Sequence, residues 1–126
     1  LQTLTGHPGH VLSVVWMKDS QRLLSGDLMG DIRLWNTIDS TTSKSFDGAA
    51  LHVYEKGQQV HFGGVRGLAI SSDESQFVAI GTHKASNPFG AVHEPLCLRF
   101  DMANGTLLKS HIAEGITGGV LWNAHY

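Results

Sequence analysis

GHPGHVLSVVWMKDSQRLLSGDLMGDIRLWN, residues 6–36, decides how the rest of the chain is read. It opens on Gly6 and His7, closes on Trp35 and Asn36, and holds three short apolar runs. In the first run Val11, Ser13 and Val15 alternate with Leu12, Val14 and Trp16; Leu23, Leu24, Ser25 and Gly26 make the second, and Ile32, Arg33, Leu34 and Trp35 the third. Side chains of an extended chain point alternately to opposite faces, so period-two alternation predicts strands. Lys18, Asp19, Ser20 and Gln21 supply one turn, and Leu28, Met29, Gly30 and Asp31 the other. Strand, turn, strand, turn, strand is an antiparallel meander, and a single meander cannot bury both of its faces. It needs copies of itself.

The copies are present. Val65 follows His61 as Val11 follows His7, and from there Leu68 matches Val14, Ile70 matches Trp16 and Asp73 matches Asp19. Phe77 and Val78 match Leu23 and Leu24, Ala79 takes the Ser25 position, and Phe100 with Asp101 takes the place of Trp35 with Asn36. Asn104 and Gly105 predict a hairpin turn, with an outer strand over residues 106–109. Val120, after Gly118 and Gly119, starts a third copy.

The pattern resembles a WD repeat, the blade of a β-propeller. Gly6 and His7, Val11, the turn residue Asp19, Ser25 with Gly26, and the closing Ile32 to Asn36 carry the resemblance at the family's spacing. The resemblance implies an all-β fold of four-stranded antiparallel blades, present as an incomplete propeller. It also implies that His7, Ser25 and Trp35 are three members of the family's buried hydrogen-bonded tetrad. The fourth member, an Asp, is expected where Met29 stands, which leaves open whether Asp27 compensates. The expected organisation is one propeller domain over 1–126: an outer strand of a preceding blade in 1–5, a blade in 6–47, an inserted loop in 48–60, a blade in 61–110 with an inserted loop in 82–95, and the start of a further blade in 111–126. The sequence style also resembles bacterial WD-repeat proteins.

The two insertions interrupt connections that lie at the same end of the strands, so both are expected to rise from one face. Thr82 to Pro95 contains Asn87, Pro88, Gly90 and Pro95, which argues against regular strand. His52, Tyr54, Glu55, His83, Lys84, Phe89, His93 and Glu94 are the candidate partner-binding residues of these loops. Long loops pack on themselves, bind partners, or build a site; loop-bearing faces are where repeat folds place function. His83, His93 and Glu94 are the residues for an alternative reading, a metal-binding or catalytic site at the channel mouth.

Composition narrows the field. Gly is abundant (15), Pro scarce (3) and charged residues are 16% of the chain, a β-rich globular composition. A net charge of −2 gives no electrostatic reason to expect nucleic acid or an anionic membrane as partner. The single cysteine, Cys97, sits in an apolar run and is read as a small buried hydrophobe. Leu1 in place of an initiator Met, and an end within a strand-like run, read as a piece of a longer protein.

No catalytic set emerges. There is no His-Glu-x-x-His and no Cys-x-x-Cys spacing for zinc. Ser71 and Ser72 fall in a turn without the glycine frame of a nucleophile elbow. Gly63, Gly64 and Gly67 lead into a strand, not into a helix N-terminus that would cradle phosphate. No cofactor, catalytic or metal-ligating residue is assigned. The resemblance implies a non-catalytic scaffold that presents loop surfaces to protein partners, with the remaining blades of the same longer chain as its structural neighbours.

Overall fold

A computed structural model describes residues 2–85, 94–114 and 124–126. Its first sheet is formed by β1 (Val11–Trp16), β2 (Arg22–Asp27), β3 (Asp31–Asn36) and β4 (Thr41–Asp47), antiparallel and in chain order. A two-stranded hairpin follows, β5 (His52–Glu55) with β6 (Val60–Gly63). The second sheet holds β7 (Gly67–Ile70), β8 (Gln76–His83), β9 (Glu94–Asp101) and β10 (Leu107–Ile112). Among the described residues there is no α-helix, only a 3-10 turn at Ala49–Leu51, and none is long and apolar enough to cross a membrane.

The turns form for the reasons the sequence suggests. Asp19 Oδ1 accepts the backbone N–H groups of Gln21 and Arg22 at 2.9 and 3.0 Å. Asp73 Oδ1 accepts from the Ser75 N–H at 3.0 Å and from the Ser75 and Ser71 hydroxyls at 2.7 Å each. Short acidic side chains hold such turns because they replace water for donors that the ladder leaves unpaired. The Ser75 N–H, then the Ser75 and Ser71 hydroxyls, stabilise the ionised Asp73 carboxylate and bring its pKa down to about 2.

The core lies between the sheets. Leu24, Ile32, Leu34 and Phe46 of the first meet Phe77, Ala79, Leu98 and Phe100 of the second. Phe46 stands edge-on to Phe77 with centroids 4.7 Å apart, and Phe77 stacks on Phe100 at 5.1 Å. Backbone pairs lock the contact: Val65 N–H donates to Asp27 O at 3.0 Å, and the Ser13 hydroxyl to Val65 O at 2.8 Å. Gly26 makes this approach possible, because a Cβ there would run into the Val65 side chain. On the other face of the first sheet Leu23, Ser25 and Trp35 are buried, and the edge strand β1 is left uncovered. Val11, Val14 and Trp16 are about half exposed, at 48%, 55% and 55%.

Several expectations change. The inserted loop expected over 48–60 carries structure of its own: the segment from Ala49 to Gly63 folds into the 3-10 turn and the β5–β6 hairpin, three residues beyond Val60. His61 consequently lies in β6, opposite Tyr54, and does not repeat His7. The second sheet's first strand starts at Gly67, and its outer strand continues to Ile112. Residues 2–5, expected as the outer strand of a preceding blade, form no strand and pair with neither four-stranded sheet. The inserted hairpin at 82–95 has strand at both ends, Thr82 pairing with Pro95 and His83 with Glu94. Pro95 is tolerated because it stands near the strand's start, where a missing N–H disturbs the ladder least. Cys97 is half-buried in β9, and burial pushes its thiol pKa up. The expected third copy at Val120 lies outside the described residues.

Two outcomes test this fold. Phe77→Ala removes the ring that two aromatic neighbours share and should cost about 3–5 kcal/mol in equilibrium denaturation. Asp73 has a folded pKa below the ordinary value of 3.8, so it stabilises the protein above that pH and loses its contribution as pH falls towards about 2. Asp73→Asn should flatten the acid limb of stability between about pH 4 and pH 2, read by urea midpoints across that range.

Candidate functional site

One end of the blades carries the chemistry. The β2–β3 turn, the exit from β4, the β5–β6 hairpin and the ends of β8 and β9 all lie there. Gly48 N–H donates to Gly30 O at 2.8 Å, His83 Nδ1 lies 3.2 Å from Ala50 O, and Gly64 N–H donates to Leu51 O at 2.7 Å. These contacts place both insertions side by side.

Beneath this end the first blade holds a buried polar chain. Trp35 Nε1–H donates to Ser25 Oγ at 2.7 Å, and Ser25 Oγ lies 2.5 Å from His7 Nε2. His7 Nδ1 faces Asp27 Oδ2 at 3.3 Å and Asp31 Oδ2 at 3.1 Å. Carboxylates only accept, so the ring proton belongs on Nδ1 and Nε2 accepts from the Ser25 hydroxyl. Asp27 is wholly buried yet fully satisfied. Its Oδ1 accepts the Met29 and Asp31 N–H groups at 2.9 and 2.8 Å, and Oδ2 accepts the Gly9 N–H at 2.9 Å. The Asp27 to Met29 bond is an Asx turn, so a residue two positions before the expected Asp anchors the same turn.

Sequence reasoning left Asp27 open because the family pattern places the Asp at Met29. The available signal was local: Asp-Leu-Met-Gly is a stretch in which an Asp can bond its own backbone two residues on. His7, Asp27 and Asp31 also bring three potential metal-ligand atoms within 4.8 Å of one another. The two carboxylates are already engaged, however: three backbone N–H groups occupy Asp27, and Arg33 Nε donates to Asp31 Oδ2 at 2.6 Å. A cation there would meet the Arg33 guanidinium, which disfavours it. The group is a structural lock.

The loop candidates divide. His52, Tyr54 and Glu55 lie together on β5, with Tyr54 45% exposed. Leu51 and Phe62 root this hairpin in the core, at 1% and 9% exposed. Its return depends on Gly63 at φ +87°, where a Cβ would collide with the Leu51 carbonyl. His83 turns to the Ala50 carbonyl, Lys84 is exposed, and Glu94 pairs in register with His83 across β8 and β9. Phe89 and His93 lie outside the described residues. In the second blade Ala79, fully buried, occupies the Ser25 position. Hydrophobic packing replaces the polar chain there.

Asp27→Asn puts an amide NH₂ against either the Gly9 N–H or the Met29 and Asp31 N–H groups. Stability should fall by about 1–3 kcal/mol, as expected for a buried group left unsatisfied. Chemical denaturation, with Asp19→Asn at an exposed turn as the milder comparison, checks this.

Residues 1–36 match the WD40 family, described as WD domain, G-beta repeat. No curated protein matches the chain. Among solved structures it is similar to that of U3-55K, with a TM-score of 0.48 and 13% identity over 92% of this chain. It is likewise similar to the crystal structure of the RRP9 WD40 repeats, with a TM-score of 0.48 and 11% identity over 92% of this chain. The chain spans 43% and 42% of those two chains. WD40 repeats generally mediate protein–protein interactions. The matched residues span β1, β2 and β3, so the chain carries a WD-repeat fragment within an all-β fold of two sheets of four antiparallel strands packed face to face.

Proposed function

We propose that this chain is part of a non-catalytic interaction scaffold that presents the inserted loops at one end of its blades to a protein partner. The observation that carries the reading is the β5–β6 hairpin. It is fixed from below by Leu51, Phe62 and Gly63, and it holds Tyr54 and Val60 out to solvent at 45% and 38% exposure. A surface already ordered before binding loses little conformational entropy on association, and a half-exposed tyrosine is a favoured anchor. The described part of the second insertion, at His83, Lys84 and Glu94, lies beside it. The exposed side chains of Val11, Val14 and Trp16 on β1 have a different role: they are the seat of a neighbouring blade of a longer chain, because apolar sheet surface of this kind is covered by the next sheet.

A photo-crosslinking residue at position 54, compared with one at Ile38 on the opposite end of the blades (65% exposed), tests the proposal. A discrete heterologous adduct from position 54 and none from position 38 is the expected result. Equal labelling from both positions, or a partner held only through position 38, would sink it.

A further inference from the structure

The hairpin also carries a pair of histidines that face each other across its two strands. His52 Nε2 and His61 Nδ1 lie 2.8 Å apart across β5 and β6. The two rings stack, with centroids 5.0 Å apart and planes inclined by 26°. Tyr54 lies against His61, centroids 4.7 Å apart. An exposed imidazole has water for a partner and gains little from a second imidazole, so the backbone imposes this pairing. Register places His52 opposite Gly63 and Tyr54 opposite His61, and the buried roots at Leu51 and Phe62 hold that register.

Only one proton fits between the two facing nitrogens. A metal ion fits the same place chemically. Imidazole nitrogens bind zinc at about 2.0–2.1 Å, which sets two ligands of one ion about 3 Å apart. We propose that His52 and His61 form a two-imidazole site for a divalent transition-metal ion of the zinc, nickel and copper class, with water completing its coordination. Imidazole donors without a carboxylate or thiolate select this class over calcium and magnesium, which take oxygen ligands. Beside His61 a cleft of about 370 Å³, lined also by His10 and Met29, leaves room for the ion's water ligands. Metal binding needs unprotonated imidazole. The inference stands apart from the scaffold reading, since metal uptake and partner adducts are measured separately.

Titration calorimetry of the chain with Ni²⁺ and with Zn²⁺ at neutral pH is the test. One ion per chain should bind, and His52→Ala and His61→Ala should each weaken it by about tenfold or more. His10→Ala and Asp31→Ala should leave it unchanged, and Ca²⁺ should not bind. His52→Gln keeps a hydrogen-bonding side chain in the hairpin and should lose the metal while leaving the circular dichroism spectrum intact. Selective broadening of the His52 and His61 ring resonances by Ni²⁺ locates the ion independently of any variant. Absence of binding, binding insensitive to both substitutions, or loss only with His10→Ala or Asp31→Ala would overturn the proposal.

Discussion

Asp27 sits without solvent exposure at the end of β2, and its carboxylate accepts three backbone N–H groups from two segments. That one charge ties the β2–β3 turn to the loop carrying Gly9. It also faces His7 at 3.3 Å, and His7 meets Ser25, whose hydroxyl oxygen accepts from Trp35. A buried carboxylate is costly unless every lone pair is met, so the local backbone is fixed by the need to meet them. The Asp27 carbonyl extends the same control outwards, accepting from Val65 and joining the first blade to the second.

The two blades reach stability by different means. The first uses the polar chain from Trp35 to Asp27 under its loop end. The second has Ala79 and Phe100 at the positions of Ser25 and Trp35, and fills its interior with Phe77 stacked on Phe100. Phe46 of the first blade reaches into that pair, so the apolar core of the second blade is also the interface between them. Directional hydrogen bonds fix a turn; aromatic area fixes a docking face. This division leaves the loop end rigid enough to carry an insertion.

The β5–β6 hairpin exploits that rigidity. It stands on Leu51 and Gly63, contacts the base of the other insertion through His83 and Ala50, and holds His52, Tyr54 and His61 in a fixed cross-strand arrangement. A two-stranded hairpin alone is marginal in water. Here its roots are buried and its tip is free, which is the condition for a loop that binds something without first having to fold.

The strands and turns of the first blade were legible in the sequence, because alternation and short Asp, Ser and Gly turns are local signals. The structure joins His7, Ser25 and Trp35 in one hydrogen-bonded chain. Tertiary structure decided the rest. Asp27 replaces the expected Asp because burial and three N–H donors select the carboxylate by its position in space, which a spacing rule does not encode. His61 falls in β6 instead of repeating His7, because the register of the hairpin with His52 outranks its resemblance in sequence. The close pairing of His52 and His61, nine positions apart, exists only once the chain has folded back on itself.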